Sequence, residues 1–117
     1  MSLDTHFWQK MPRLIKTNAI IIDRPQGKPH PRYPNVVYPF DYGYLENTSA
    51  GDGDGIDVWI GTLKQKSLTG ILCTFDKIKH DAEIKLLLGC TEEDIQHIRT
   101  FHNEMPAQYI PNPMAVK

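Results

Sequence analysis

Residues 56–88 read IDVWIGTLKQKSLTGILCTFDKIKHDAEIKLLL, and this stretch decides the fold class. It divides into three runs rich in apolar and β-branched residues, 56–60, 68–75 and 81–88. Gly61 closes the first run, and the polar turn 76–80 separates the last two. Such runs, bounded by turn residues, read as short strands. No helical pattern lies between them. The strand–helix alternation that builds a doubly wound parallel sheet is therefore missing.

Upstream, residues 42–45 are short and extended, and residues 17–23 (TNAIIID) read as a further strand. Residues 4–11 read as a short helix, capped by Asp4, with Phe7, Trp8 and Met11 at helical spacing and Pro12 as its end. Residues 24–39 hold five prolines, at 25, 29, 31, 34 and 39, so they form ordered loop or sheet edge rather than a central strand. Downstream, residues 91–102 read as the strongest helix, with Thr91 and Asp94 placed to cap it and Ile95 and Ile98 on one face. Beyond Met105 the chain is broken by prolines, apart from an extended piece at 108–110. The sum is a mainly β domain, a small β-barrel with a flanking helix.

Bulk properties exclude several functions. The 117 residues suit one domain, 1–117. A formal net charge of −1 offers no basic face for nucleic acid. No apolar run reaches the roughly 18 residues of a membrane span, and the N-terminal residues show no signal pattern, so the expected location is cytoplasmic. Cys73 and Cys90 lie in separate apolar stretches and read as free, buried thiols.

The strongest chemical signal is the acidic loop Asp52-Gly-Asp54-Gly-Ile-Asp57. Three carboxylates so close repel one another unless a cation compensates. Glycines at 51, 53 and 55 let the backbone bend tightly, so the acids can converge. Hard oxygen donors suit magnesium, manganese or calcium. A calcium EF-hand is excluded, because counting from Asp52 puts Asp57 at the glycine position and Leu63 at the glutamate position. By itself the loop reads either as a cation site or as a solvated acidic turn. Asp76 and Asp81 flank the turn between two strands, and Asp81, Glu83 and Lys85 share strand parity and so one face. Tyr38, Tyr42 and Tyr44 form a second cluster, able to hold a phosphate oxygen or to serve as core rings. Of the cations in the proline-rich segment, Arg24 and Lys28 read as solvated surface charge, and Arg32 as a guanidinium that a stiff loop can aim at phosphate.

Tyr42-Gly-Tyr-Leu, Thr48 and Asp52-Gly-Asp-Gly-Ile-Asp-Val58 together resemble the signature of soluble family I inorganic pyrophosphatases. The similarity extends more loosely over residues 20–88. The resemblance implies a five-stranded OB-type β-barrel with one or two flanking helices, hydrolysis of inorganic pyrophosphate, and Mg2+ as cofactor with Mn2+ as a substitute. It implies metal binding by Asp52, Asp57, Asp76 and Asp81, and Asp54 as acceptor of the attacking water's proton. It also implies substrate binding by Arg32, Tyr42 and Lys85, with Asp23 and Tyr38 in support. Lys85 follows its matching aspartate by four residues where the family lysine follows by two. Gly55 replaces a proline within the signature, His102-Asn103 replaces a Tyr-Lys pair, and the segment between Pro25 and Tyr38 is short. A hydrolase of another diphosphate and a non-catalytic metal- or phosphate-binding module stay open beside this reading, as does a homo-oligomer. Neither nucleic acid nor membrane is expected as a partner.

Overall fold

A computed structural model describes residues 3–51, 53–103 and 106–115, with the backbone alone at Leu3 and Asp4. The element order is α1 (Leu3–Thr17), β1 (Ile20–Arg24), β2 (Asp41–Leu45), β3 (Asp57–Ile60), β4 (Leu68–Asp76), β5 (Asp81–Leu88), α2 (Glu92–Phe101) and β6 (Ala107–Pro111). The strands form one six-stranded sheet in the order β1-β2-β3-β5-β4-β6. Every neighbouring pair is antiparallel except β3 and β5, which run parallel. The protein is thus mainly β, with one strand more than expected. β6 adds to the outer side of β4, and no pairing among the described residues joins it to β1.

The pleat sorts side chains onto two faces. Val58, Leu86, Leu88, Leu45 and Ile71 point to one face, where α1 packs Trp8, Met11, Leu14 and Ile15 against them. Trp59, Leu87 and Leu72 point to the other, where α2 adds Ile95 and Ile98, and Tyr38 and Phe40 close the cluster. Ile98 and Trp59 have no exposed surface. Burying a side chain such as Ile98 stabilises by about 1.5–3 kcal/mol.

α1 runs past Pro12 to Thr17, beyond the expected stop. A proline inside a helix removes one ladder donor and costs about 3 kcal/mol. The apolar stripe offsets this, because Leu14 and Ile15 continue it onto the sheet. The end comes where Thr17 Oγ1 and Asn18 Nδ2 donate to the Leu14 carbonyl. Thr17 therefore belongs to the helix, and β1 starts at Ile20. The capping role read for Asp4 lies outside the described side chains.

α2 has the expected capping box: Thr91 Oγ1 accepts from the Asp94 amide, and Asp94 Oδ2 accepts from the Thr91 amide, each at 3.0 Å. Asp94 Oδ2 also accepts from the amide and hydroxyl of Thr62, which ties the helix start to the end of β3. The proline-rich segment is an ordered loop, pinched by a bridge between Pro29 and Val37. Cys90 is buried and Cys73 half-buried, both as free thiols.

Candidate active site

The site begins with cross-strand registry. Tyr42 pairs with Trp59, Tyr44 with Asp57, Asp57 with Lys85, Thr74 with Glu83, and Asp76 with Asp81. Paired residues share a face. The polar ends of four strands therefore occupy the same face that α2 covers at the apolar ends.

A bulge at Asp23 adds one more group. Ile22 pairs with Gly43 and Arg24 with Tyr42, so Asp23 is the extra residue and Arg24 turns onto the site face. β1 and β2 approach so closely here that only glycine fits at position 43. A Cβ there would overlap the Ile21 carbonyl oxygen and crowd Ile22 Cα.

The loop before β3 closes on itself through Thr48. Its hydroxyl donates to the Leu45 carbonyl at 2.7 Å and accepts from the Ile56 amide at 3.0 Å. The Leu45 amide reaches the Ile56 carbonyl at 2.9 Å, and the Ala50 amide the Asp54 carbonyl at 2.6 Å. Gly53, at φ +88°, takes a conformation that disfavours other residues. This stitching presents exposed Asp54 above the start of β3. Asp52 lies outside the described residues.

Two adjoining cavities, about 600 and 690 Å3, share Tyr38, Tyr42, Asp57, His30 and Lys79. The first adds Asp23, Arg24 and Asp54, and the second adds Asp76, Asp81, Glu83 and Lys85. They make one polar groove. Asp23, Tyr38, Tyr42, Asp54, Asp57, Asp76, Asp81 and Lys85 thus come together. Arg32 sits exposed on the proline-rich loop, its amide bonded to His30 Nδ1, and lines neither cavity. A further cavity of about 400 Å3 lies behind the sheet between Met11 and Ile84. Its walls are mainly apolar and unsuited to a polyanion.

Lys85 anchors the groove. Its Nζ lies 2.8 Å from Asp57 Oδ2, 3.1 Å from Glu83 Oε2 and 2.8 Å from the Tyr42 hydroxyl. The Tyr42 ring stands edge-on to Trp59, centroids 4.7 Å apart. Burial, and then the Asp57 charge, push the Tyr42 hydroxyl far above its ordinary pKa, so it stays protonated. Burial also raises Tyr38, partly offset by the Arg24 guanidinium beside it. Asp76 is held below the usual carboxylate range by the amides of Lys79 and Ile78, which its Oδ1 accepts at 3.1 and 2.8 Å. Behind the groove, Trp59 Nε1 donates to His102 Nε2 at 3.3 Å. Burial first, and then the Lys85 charge, bring the His102 pKa down to about 4.

The family model for inorganic pyrophosphatase matches residues 9–108. The chain belongs to the inorganic pyrophosphatase family. It is 28% identical over 79 residues to the inorganic pyrophosphatase of Streptomyces coelicolor, a match covering 61% of this chain and 48% of that protein. The chain therefore spans about half the length of the curated relative it matches.

Within this pyrophosphatase-family groove the acids fit a hard divalent cation by the chemistry of their donors, and a cation, the Lys85 ammonium, already lies against two of them. No three acids among the described residues close on one point. Arg24 reads from the sequence as solvated surface charge but lines the groove, and Glu83, given no role of its own from the sequence, lines it too. The bulge that turns Arg24 inward has no local sequence signal. Glu83 was legible from its parity with Asp81 and Lys85. His30 and Lys79 also line the groove, and nothing in their sequence surroundings marks them.

Proposed function

We propose that this chain hydrolyses inorganic pyrophosphate to two phosphates with magnesium as cofactor, manganese serving as a substitute. The observation that carries the reading is the shared lining of one groove: Asp57, Asp76 and Asp81 beside Lys85 and Tyr42. Pyrophosphate is small and highly anionic. A groove with many carboxylates suits it only when cations lie between, which is the family's way of binding.

Asp52, Asp57, Asp76 and Asp81 would hold the metal. When bound, magnesium neutralises the substrate and makes water acidic enough to deprotonate near neutral pH. Asp54, exposed at the groove, takes the proton of the attacking water. Lys85 and the protonated Tyr42 hydroxyl bind phosphate oxygens as charge moves to the leaving group. Arg24 lines the groove and binds phosphate there, and Arg32, exposed on the proline-rich loop outside the groove, would reach substrate only by swinging in. Asp23 and Tyr38 support the wall. For the fold, the OB-type barrel rests on family membership and on the single parallel pairing of β3 with β5.

A larger diphosphate is the second reading. It is favoured by Tyr33, 60% exposed with its ring 5.0 Å from that of His30 at the groove, where a base or sugar could rest. Phosphate release by the purified protein from pyrophosphate and from nucleotide- and sugar-linked diphosphates, with and without magnesium, tests both. Magnesium-dependent release from pyrophosphate supports the first reading. No release from any of them would sink both.

A further inference from the structure

We infer that the Lys85 ammonium is a built-in competitor of the divalent cation at Asp57, and that cation binding frees it to take up anionic substrate. The inference rests on the metal-dependent reading above and adds an order to it, cation before anion.

The Lys85 side chain is 6% exposed, and those of Asp57 and Glu83 are 22% and 18% exposed. One ammonium is thus shared by two carboxylates in a poorly hydrated place, where charges act more strongly than in water. Lys85 occupies Oδ2 of Asp57, one of the two oxygens that this carboxylate offers a divalent ion. A second cation binds there less tightly with the ammonium in place, because like charges a few ångströms apart repel more strongly at low dielectric than in water.

Geometry gives the ammonium an alternative. Lys85 Nζ also holds the Tyr42 hydroxyl, a neutral partner whose ring lies 5.3 Å away, and both residues line the groove. The flexible lysine stem lets Nζ leave Asp57 without moving β5. An ammonium released in this way faces the groove, where a phosphate oxygen can replace the carboxylates it left. Glu83 strengthens the effect. It draws Lys85 into the resting state, and once the ammonium leaves it adds a carboxylate beside the divalent ion.

Titration of the full chain with Mn2+ by calorimetry at low ionic strength, beside Lys85→Met, tests the competition. The variant is expected to bind Mn2+ about fivefold tighter or more, since a repelling charge has been removed. Mn2+ binding by the full chain with equal or weaker binding by the variant overturns the inference and leaves the metal-dependent reading standing. Failure of both proteins to bind Mn2+ overturns both. A second measurement needs no variant. Acetylation of lysines in the native protein, read by mass spectrometry, should modify Lys85 about threefold faster or more in saturating Mg2+ than without it, as the buried ammonium is released. Unchanged Lys85 labelling at saturating Mg2+ overturns the inference even if Lys85→Met does not fold.

Discussion

Trp59 Nε1 donates to His102 Nε2 at 3.3 Å, so the half-buried imidazole is an acceptor on that nitrogen and carries its proton on Nδ1. His102 is thus a neutral wall of the groove, its pKa lowered to about 4 against an ordinary value of 6.5. The unfolded chain binds the extra proton first as pH falls. Stability is therefore full above about pH 6.5 and falls as pH drops toward 4. His102→Gln should flatten this limb, removing about 2–3 kcal/mol of the loss between neutral pH and pH 4. Urea melts at a series of pH values measure it, and an unchanged slope would refute the assignment.

Asp54 is exposed, and its backbone carbonyl accepts from the Ala50 amide to close the loop. Asp54→Asn should keep the fold and the Mn2+ affinity within about twofold. Turnover of pyrophosphate should fall roughly 100- to 10,000-fold, the range of a lost general base. Steady-state phosphate release beside a Mn2+ isotherm checks both halves.

Gly43→Ala should cost about 2 kcal/mol or more, because the added methyl meets the β1 backbone, which cannot yield as a side chain would. The same substitution would push Arg24 from its place beside Tyr38. The midpoint of urea unfolding reports the loss, and near-ultraviolet circular dichroism reports the disturbed tyrosines.

Asp94 carries a different pH signature. Burial raises its pKa, and the hydrogen bonds from Thr62 and Thr91 outweigh that, leaving it below the usual value. Its contribution is present above the unfolded carboxyl value of about 3.9 and is lost as pH falls through the lower folded value. Asp94→Asn should lower stability at pH 7 by about 1–3 kcal/mol, by weakening bonds to a charged acceptor. The difference from the native protein should shrink in strong acid, as calorimetric melts at pH 7 and pH 3 would show.

The strand runs 81–88 and 68–75 were legible because pleat, turn residues and burial agree there. So was α2, whose capping box announces itself. α1 was misjudged at Pro12, where a local rule lost to tertiary burial of Leu14 and Ile15. The site was legible as far as parity carries. Asp81 and Lys85 project from one face by counting, and Asp57 joins them through the parallel register. Arg24 was not legible, since its orientation depends on a one-residue bulge that only the paired strand reveals.

Trp59 sits at the centre of the sheet face, fully enclosed, and touches the rings of Tyr42, Tyr38, Phe101 and His102. The chamber that would receive substrate is therefore walled by the same side chains that hold α2 to the sheet. Heating should abolish turnover and melt the protein in one step, with no temperature range in which an intact fold carries a loosened reaction chamber.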